Sequence, residues 1–269
     1  MMEALSYDFF QNALVAGLLA SLICGVIGSL VVVNRIVFLA GGVAHASYGG
    51  VGLAFFLGLP VLPVTAGFST AAALVMAWVT LSARERADTV IGVLWAAGMA
   101  LGIILLDLTP GYNADLMSYL FGSILAVPTS DLWLMAGLSV LVLVLVALFS
   151  RGLLLMSFDA EFARSRGVPV ALLHFLLMGL TALCVVMVIR VVGMILVLAL
   201  MTIPPFIAEA RSRSLSGMMA LSALLSAVFC VCGLWLSYML DLTSGATIIG
   251  VACLGFALNL CVPSRRTTA

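Results

Sequence analysis

The sequence predicts an all-α, polytopic transmembrane bundle of eight or nine spans, and three observations carry that prediction. Charged residues make up only 8% of the 269 residues and hydrophobic residues 65%, whereas about 25% of a soluble domain is charged. The apolar residues fall in long runs: Ala13 to Val33 and Ile36 to Ser82 contain no Asp, Glu, Lys or Arg. About 20 residues at roughly 1.5 Å rise cross about 30 Å of hydrocarbon, so such runs read as spanning helices. They do not alternate apolar with polar residues, which excludes the strands of a membrane β-barrel. Finally, the cationic residues sit almost entirely in the gaps between alternate runs.

In order, the runs predict spans near residues 12–33, 36–58, 61–81, 88–107, 131–149, 170–189, 192–208, 215–239 and 246–262. Met1 to Asn12 carries Glu3 and Asp8 but no Arg or Lys, and the first run is too long for a signal h-region, so the first span is expected to remain. Every cationic residue is Arg. With the N-terminus outside, Arg35, Arg84, Arg86, Arg151, Arg164, Arg166, Arg211, Arg213, Arg265 and Arg266 are all cytoplasmic, and only Arg190 is left outside. Asp107, Asp115, Asp131 and Asp241 fall outside with Glu3 and Asp8. By the positive-inside rule this predicts an outer N-terminus and a cytoplasmic C-terminus. Two spans meeting at Arg190 to Gly193 need a very tight turn, so one of them is a candidate for a broken or half-length helix, which leaves eight full spans open. Arg190 itself is expected to snorkel to the outer interface. No repeat and no Gly/Ser- or Pro-rich linker divides the chain, so residues 1–269 read as one domain.

Net charge is zero, so no basic footprint for nucleic acid exists. The six cysteines lie in or beside apolar runs, and Cys230 and Cys232 are too close in sequence to share a helix face, so all read as packing residues. There is no GxxxxGK[ST] loop and no Lys to build one, no HExxH and no GxSxG. The chain is therefore expected to be no enzyme, and any ATP hydrolysis must come from another subunit.

The longest cytoplasmic connection, Arg151 to Pro169, has the core SFDAEFARSRGVP. Asp159 suits an N-cap, Glu161 lies in the first turn where the helix dipole favours an anion, and Arg164 and Arg166 lie in the last turn where it favours cations. Gly167 suits the C′ position and Pro169 prevents continuation, giving a short helix near 159–167. Phe158 and Phe162, four apart, are expected to share a face, and an aromatic patch rimmed by charge suggests a protein partner. A solvated loop helix is the alternative.

The second span opens FLAGGVAHASYGGVGLAFFLG. Gly42, Ala46 and Gly50 form one row of small residues, and Gly41 and Gly49 flank His45 in another; such rows let helices approach closely in a bilayer. His45 lies well inside the span, where ionisable groups usually face an interior or a water-filled path, and neutral imidazole is a common ligand for divalent transition metals. A packing histidine is the alternative. His174, at the cytoplasmic start of a span, reads as structural or interfacial.

Six segments carry a family resemblance: LLASLICGVIGSLVVVNRIVFL, AHASYGGVGLAF, DTVIGVLWAAGMALGIILL, DLMSYLFGSILAVPTSDL, SFDAEFARSRGVPVALLHFLLM and VVGMILVLALMTIPPFIA. In this order the chain resembles the permease subunit of the zinc and manganese ABC importers over nearly all its length. The resemblance implies a homodimer in the cytoplasmic (inner) membrane of a bacterium or archaeon. Each copy would dock a cytoplasmic ABC ATPase through Asp159–Gly167 and receive a divalent metal from an extracytoplasmic binding protein. No cofactor would be bound in this chain, and ATP would be used by the partner. In the family an Asp and a His four residues apart on the second helix lie on the metal path; His45 matches the His, but Gly41 stands where the family has Asp. A second His45 from a dimer, Ser47, or Met and Thr side chains on other helices are candidates to compensate. Asp88 matches a family acid and reads as the N-cap of the fourth span; Asp115 matches an acid on the outer face. Pro204 matches a family proline and Pro205 doubles it, so a kink or break is expected there, with Met201, Thr202 and the freed carbonyls as path groups. The alternative function is a secondary, ion-coupled metal or small-solute carrier, which would need acids buried in spans and inverted repeats. An assembly protein and a membrane enzyme using His45 or His174 as base are further alternatives.

Overall fold

The computed structural model describes residues 8–82, 87–110, 124 and 127–261. Among them there is no strand. The helices are α1 (Asp8–Val33), α2 (Val37–Leu57), α3 (Val61–Ser82), α4 (Ala87–Asp107), α5 (Thr129–Leu148), α6 (Ser150–Phe158), α7 (Ala160–Ser165), α8 (Val170–Val192), α9 (Met194–Arg211), α10 (Leu215–Leu240) and α11 (Ser244–Cys261). Nine of these, all but α6 and α7, are long and apolar enough to cross a membrane, so the count is nine among the described residues. Arg84, Arg86, Arg265, Arg266, Glu3 and Asp115 lie outside the described residues.

The turn at Arg190 to Gly193 explains how nine fit. Helix α8 runs through Arg190 to Val192, and α9 begins at Met194. Gly193 alone lies between them, at φ 86° and ψ 162°. A side chain rarely adopts that conformation, so glycine makes the one-residue junction possible. Its N–H donates to Ile189 O at 2.8 Å, so the junction leaves little backbone unpaired. The expected half-length helix is not found: α9 has 18 residues. Nor do Pro204 and Pro205 break it, since the helix runs through both.

The helices form two compact units whose segments interleave along the chain, Met1–Val32, Met117–Leu148 and Val188–Ala269 in one, Val33–Leu116 and Phe149–Met187 in the other. In the second unit, α2 packs on α3 and α4 backbone against backbone. A Cβ placed on Gly50 would lie 2.8 Å from Thr65 Cα, and one on Gly52 2.4 Å from Gly102 O. From the α4 side, a Cβ on Gly98 would meet Ala46 Cα at 2.7 Å. Leu39, Val43, Met76, Ile91 and Met178 fill the remaining core, bringing α8 against the same layer. Gly58 closes α2 in the left-handed region (φ 64°), and Pro60 follows it.

In the first unit, α1 uses the same device. A Cβ on Gly25 would lie 2.4 Å from Ala223 Cα, and one on Gly28 2.7 Å from Met201 O. Ile207, Phe229 and Ala252 join α9, α10 and α11. Arg190, expected to snorkel, also makes an ion pair. Its Nε donates to Asp131 Oδ2 at 2.8 Å, with Asp131 only 4% exposed. The buried carboxylate has its counter-charge from a helix remote in sequence.

Candidate functional site

His45 lies midway along α2, half-buried. Its Nδ1 is buried with no hydrogen-bond partner among the described residues. The ring stacks on Trp95 of α4, centroids 4.0 Å apart and planes 16° from parallel. Trp95 is held in turn: its Nε1–H donates to Met99 Sδ at 3.2 Å, and Phe38 packs tilted against the indole at 6.1 Å. Trp95 and Met99 share a face of α4 because they are one helical turn apart. This stack was not legible from the spacing around His45, because Trp95 lies on a different helix. The one available signal was an indole in the span that the Gly98 and Gly102 row brings against α2.

The predicted glycines take the positions expected of close helix packing. A Cβ on Gly42 would meet Ile91 Cγ2 at 2.6 Å, and one on Gly49 would meet Gly98 O and the Phe68 ring at 2.9 Å. Gly41 is half-buried, one turn before His45. Ser47 is fully buried, and its Oγ donates to Ala44 O at 2.6 Å, an internal helix bond. Met201 and Thr202 belong to the other unit. Met201 is 1% exposed and packs by its backbone on Gly28, while Thr202 Oγ1 donates to Leu198 O at 2.7 Å. Pro204 and Pro205 lack N–H groups, so the carbonyls of Leu200 and Met201 lose their helical donors. Among the described residues no three His, Cys, Asp or Glu side chains gather as a metal cage.

The short helix near 159–167 is present as α7. Asp159 is extended (φ −152°, ψ 101°), and its Oδ1 accepts from Glu161 N at 3.0 Å and Phe162 N at 2.9 Å. Arg166 is the C-cap, and Gly167 follows in the left-handed region at φ 77°. Gly167 N–H donates to Arg164 O and Val168 N–H to Ala163 O, each at 3.0 Å, which satisfies the last carbonyls. One expectation is corrected. Phe158 ends α6, and the extended Asp159 separates it from Phe162 in α7. The two rings therefore do not share one helix face, although both are exposed, at 73% and 46%. The Arg166 guanidinium lies over the Phe162 ring, 5.4 Å from its centroid.

Asp88 is likewise shifted from its expected place: α4 begins at Ala87, so Asp88 sits in the first turn, where the dipole favours it, and is not the N-cap. It lines a cavity of about 530 Å³ together with Asn34, Arg35, Thr80, Phe158 and His174. His174 Nε2 lies 3.0 Å from Thr80 Oγ1, and Asn34 Nδ2 donates to Ser157 Oγ at 2.9 Å. The second of these bonds ties the turn before α2 to α6, next to α7.

Residues 6–262 match the ABC 3 transport family. This chain belongs to that family. As an ABC 3 member it is a multi-pass membrane protein and a transport component, the permease subunit of an ATP-binding cassette transporter, as the six segments implied. It is 51% identical over 260 residues to a membrane protein of Synechocystis sp., covering 97% of this chain and 92% of that one. It is 36% identical over 256 residues to the manganese transport system membrane protein MntC of Halalkalibacterium halodurans, covering 95% of this chain and 88% of that one. Among solved structures, PsaBC from Streptococcus pneumoniae in complex with Fab superposes with a TM-score of 0.86 at 31% identity, over 97% of this chain and 94% of that one.

Proposed function

We propose that this ABC 3 permease imports a divalent transition metal, manganese before zinc or iron, by alternating access. The observation that carries the reading is its similarity over 95% of its length to a membrane protein named for a manganese transport system. The arginine distribution supports an outer N-terminus and a cytoplasmic α7. On this reading residues 1–269 act as one permease domain that pairs with a second copy. Each α7, with Phe158, Asp159, Glu161, Phe162, Arg164, Arg166 and Gly167, docks one ATPase subunit, and a binding protein delivers the ion at the outer face, where Asp115 is a candidate contact.

The residues suit such a cycle in particular ways. A capped helix is rigid, so closure of the ATPases moves α7 as a unit. The Asn34–Ser157 bond relays that movement to the start of α2, the helix of His45. An imidazole without the carboxylate at Gly41 is a weak divalent ligand, which suits transfer over storage. Met201, Thr202 and Ser47 already use their polar atoms, or bury them, within their own helices, so His45 is the first choice for contact with the ion.

The test is uptake of radiolabelled manganese by cells producing the chain together with its ATPase and binding protein, with zinc and iron as competitors. Uptake that requires the ATPase is expected. Uptake that continues without any ATPase partner would overturn the proposal in favour of an ion-coupled carrier.

A further inference from the structure

We infer that Trp95 is the positioning residue of His45, holding the imidazole plane by stacking where a hydrogen bond normally would. The inference deepens the reading of His45 as a metal-path residue and rests on it. A metal-binding histidine usually has its ring fixed by donating its other nitrogen to a carboxylate or carbonyl, which sets the tautomer and the ring angle. Nothing of that kind holds His45. No hydrogen bond to it is formed among the described residues, Nδ1 is buried without a partner, and the side chain one turn earlier on the same face is Gly41. A terminal imidazole torsion is broad, so without a partner the ring turns freely about it.

The stack on Trp95 removes that freedom. At 4.0 Å and 16° the two rings are in face-to-face contact over an area that tilting the imidazole out of that plane would lose. The indole can serve as a fixed wall because it is itself immobilised, by its N–H to Met99 Sδ and by Phe38 beside it. The two helix backbones are fixed as well. Ala46, next to His45, touches Gly98, one turn beyond Trp95, at a distance no side chain larger than hydrogen permits. Trp95 thus fixes the plane in which the ring nitrogens lie without touching the ion. Its aromatic ring is what does the work, and its N–H serves only to anchor it.

Manganese uptake by the complete transporter in cells tests this. Trp95→Phe keeps a stacking ring and is expected to retain KM within about twofold. Trp95→Leu fills the space but cannot stack, and is expected to raise KM by about three- to tenfold with the maximal rate less affected, the range an aromatic pair supplies beyond its buried area. ATPase co-purification, measured in parallel, should be unchanged in both. Should Trp95→Leu fail to assemble, Trp95→Met takes its place with the same expectation. Equal loss in Trp95→Phe and Trp95→Leu, or wild-type KM in Trp95→Leu, would overturn the positioning role. His45→Ala separates the two layers: if it transports normally, the metal-path reading fails; if it is inactive while Trp95→Leu is normal, only the positioning inference fails.

Discussion

His45 is the only His, Asp, Glu, Lys or Arg in α2, and its environment makes the single-residue predictions sharp. His45→Ala is expected to abolish metal uptake while the permease still assembles with its ATPase, because among the described residues the ring makes one stack and no hydrogen bond. Uptake assay and co-purification on the same preparation check both halves. The Arg190–Asp131 pair gives a stability prediction with the opposite character. Removing one partner of a fully buried ion pair costs about 3–5 kcal/mol. Arg190 is 43% exposed, so solvent reduces the expectation for Arg190→Gln to about 1–2 kcal/mol. The double change Arg190→Gln with Asp131→Asn should recover much of that, since no charge is then left buried; thermal unfolding in detergent reads the difference. This pairing could not be read from sequence. Arg190 appears there as a lone outer arginine and Asp131 as one of several outer acids, and only the fold shows that the carboxylate is buried and the guanidinium reaches it. The place of His45 inside a span was legible, because an imidazole among glycines in an apolar run stands out chemically.

Among the elements, α7 was the most legible, because capping is local chemistry. Asp159, Glu161, Arg166 and Gly167 each announce a position in the helix, and all are found there within a residue. The same logic exposes the misplaced expectation: if Asp159 is the N-cap, Phe158 precedes the helix and cannot share its periodicity with Phe162. Asp159→Ala is expected to cost about 1 kcal/mol of local helix stability. Gly167→Ala is expected to cost about as much, because φ 77° is left-handed. Both should weaken co-purification with the ATPase, and Phe162→Ala and Glu161→Arg should abolish it. The α4 glycines make a second contrast. Gly92 has nothing within 4 Å of where a Cβ would stand, whereas a Cβ on Gly102 would lie 2.4 Å from Tyr48 O. Gly92→Ala should therefore be neutral or stabilising by up to about 1 kcal/mol through helix propensity. Gly102→Ala should lower the unfolding temperature, since backbone must move to admit it.

For the whole molecule, run length and arginine placement were sufficient to read an all-α bundle of eight or nine spans, because the bilayer imposes both. The remaining ambiguity, eight or nine, turned on Gly193, whose single-residue junction depends on a backbone angle that sequence does not print. The division into two interleaved units was not legible either, since each unit is assembled from separated segments and no linker composition marks the crossings. Orientation is a prediction of the same scale. In a background without other cysteines, Thr243→Cys between α10 and α11 should react with a membrane-impermeant thiol reagent in intact cells, and Arg213→Cys between α9 and α10 only after permeabilisation. The reverse pattern would invert the topology and remove α7 from reach of any ATPase.

The glycine contacts of α2 have a mechanical consequence. Where side chains separate two helices, they deform like a cushion, and one helix can slip or roll against the other. At Gly50 against Thr65, and at Gly52 against Gly102, main chain rests on main chain, and there is no cushion to compress. Helices α2, α3 and α4 then behave as a stiff plate. A push delivered beside Asn34 arrives at His45 undiminished by slack, so the imidazole travels as far as the plate does.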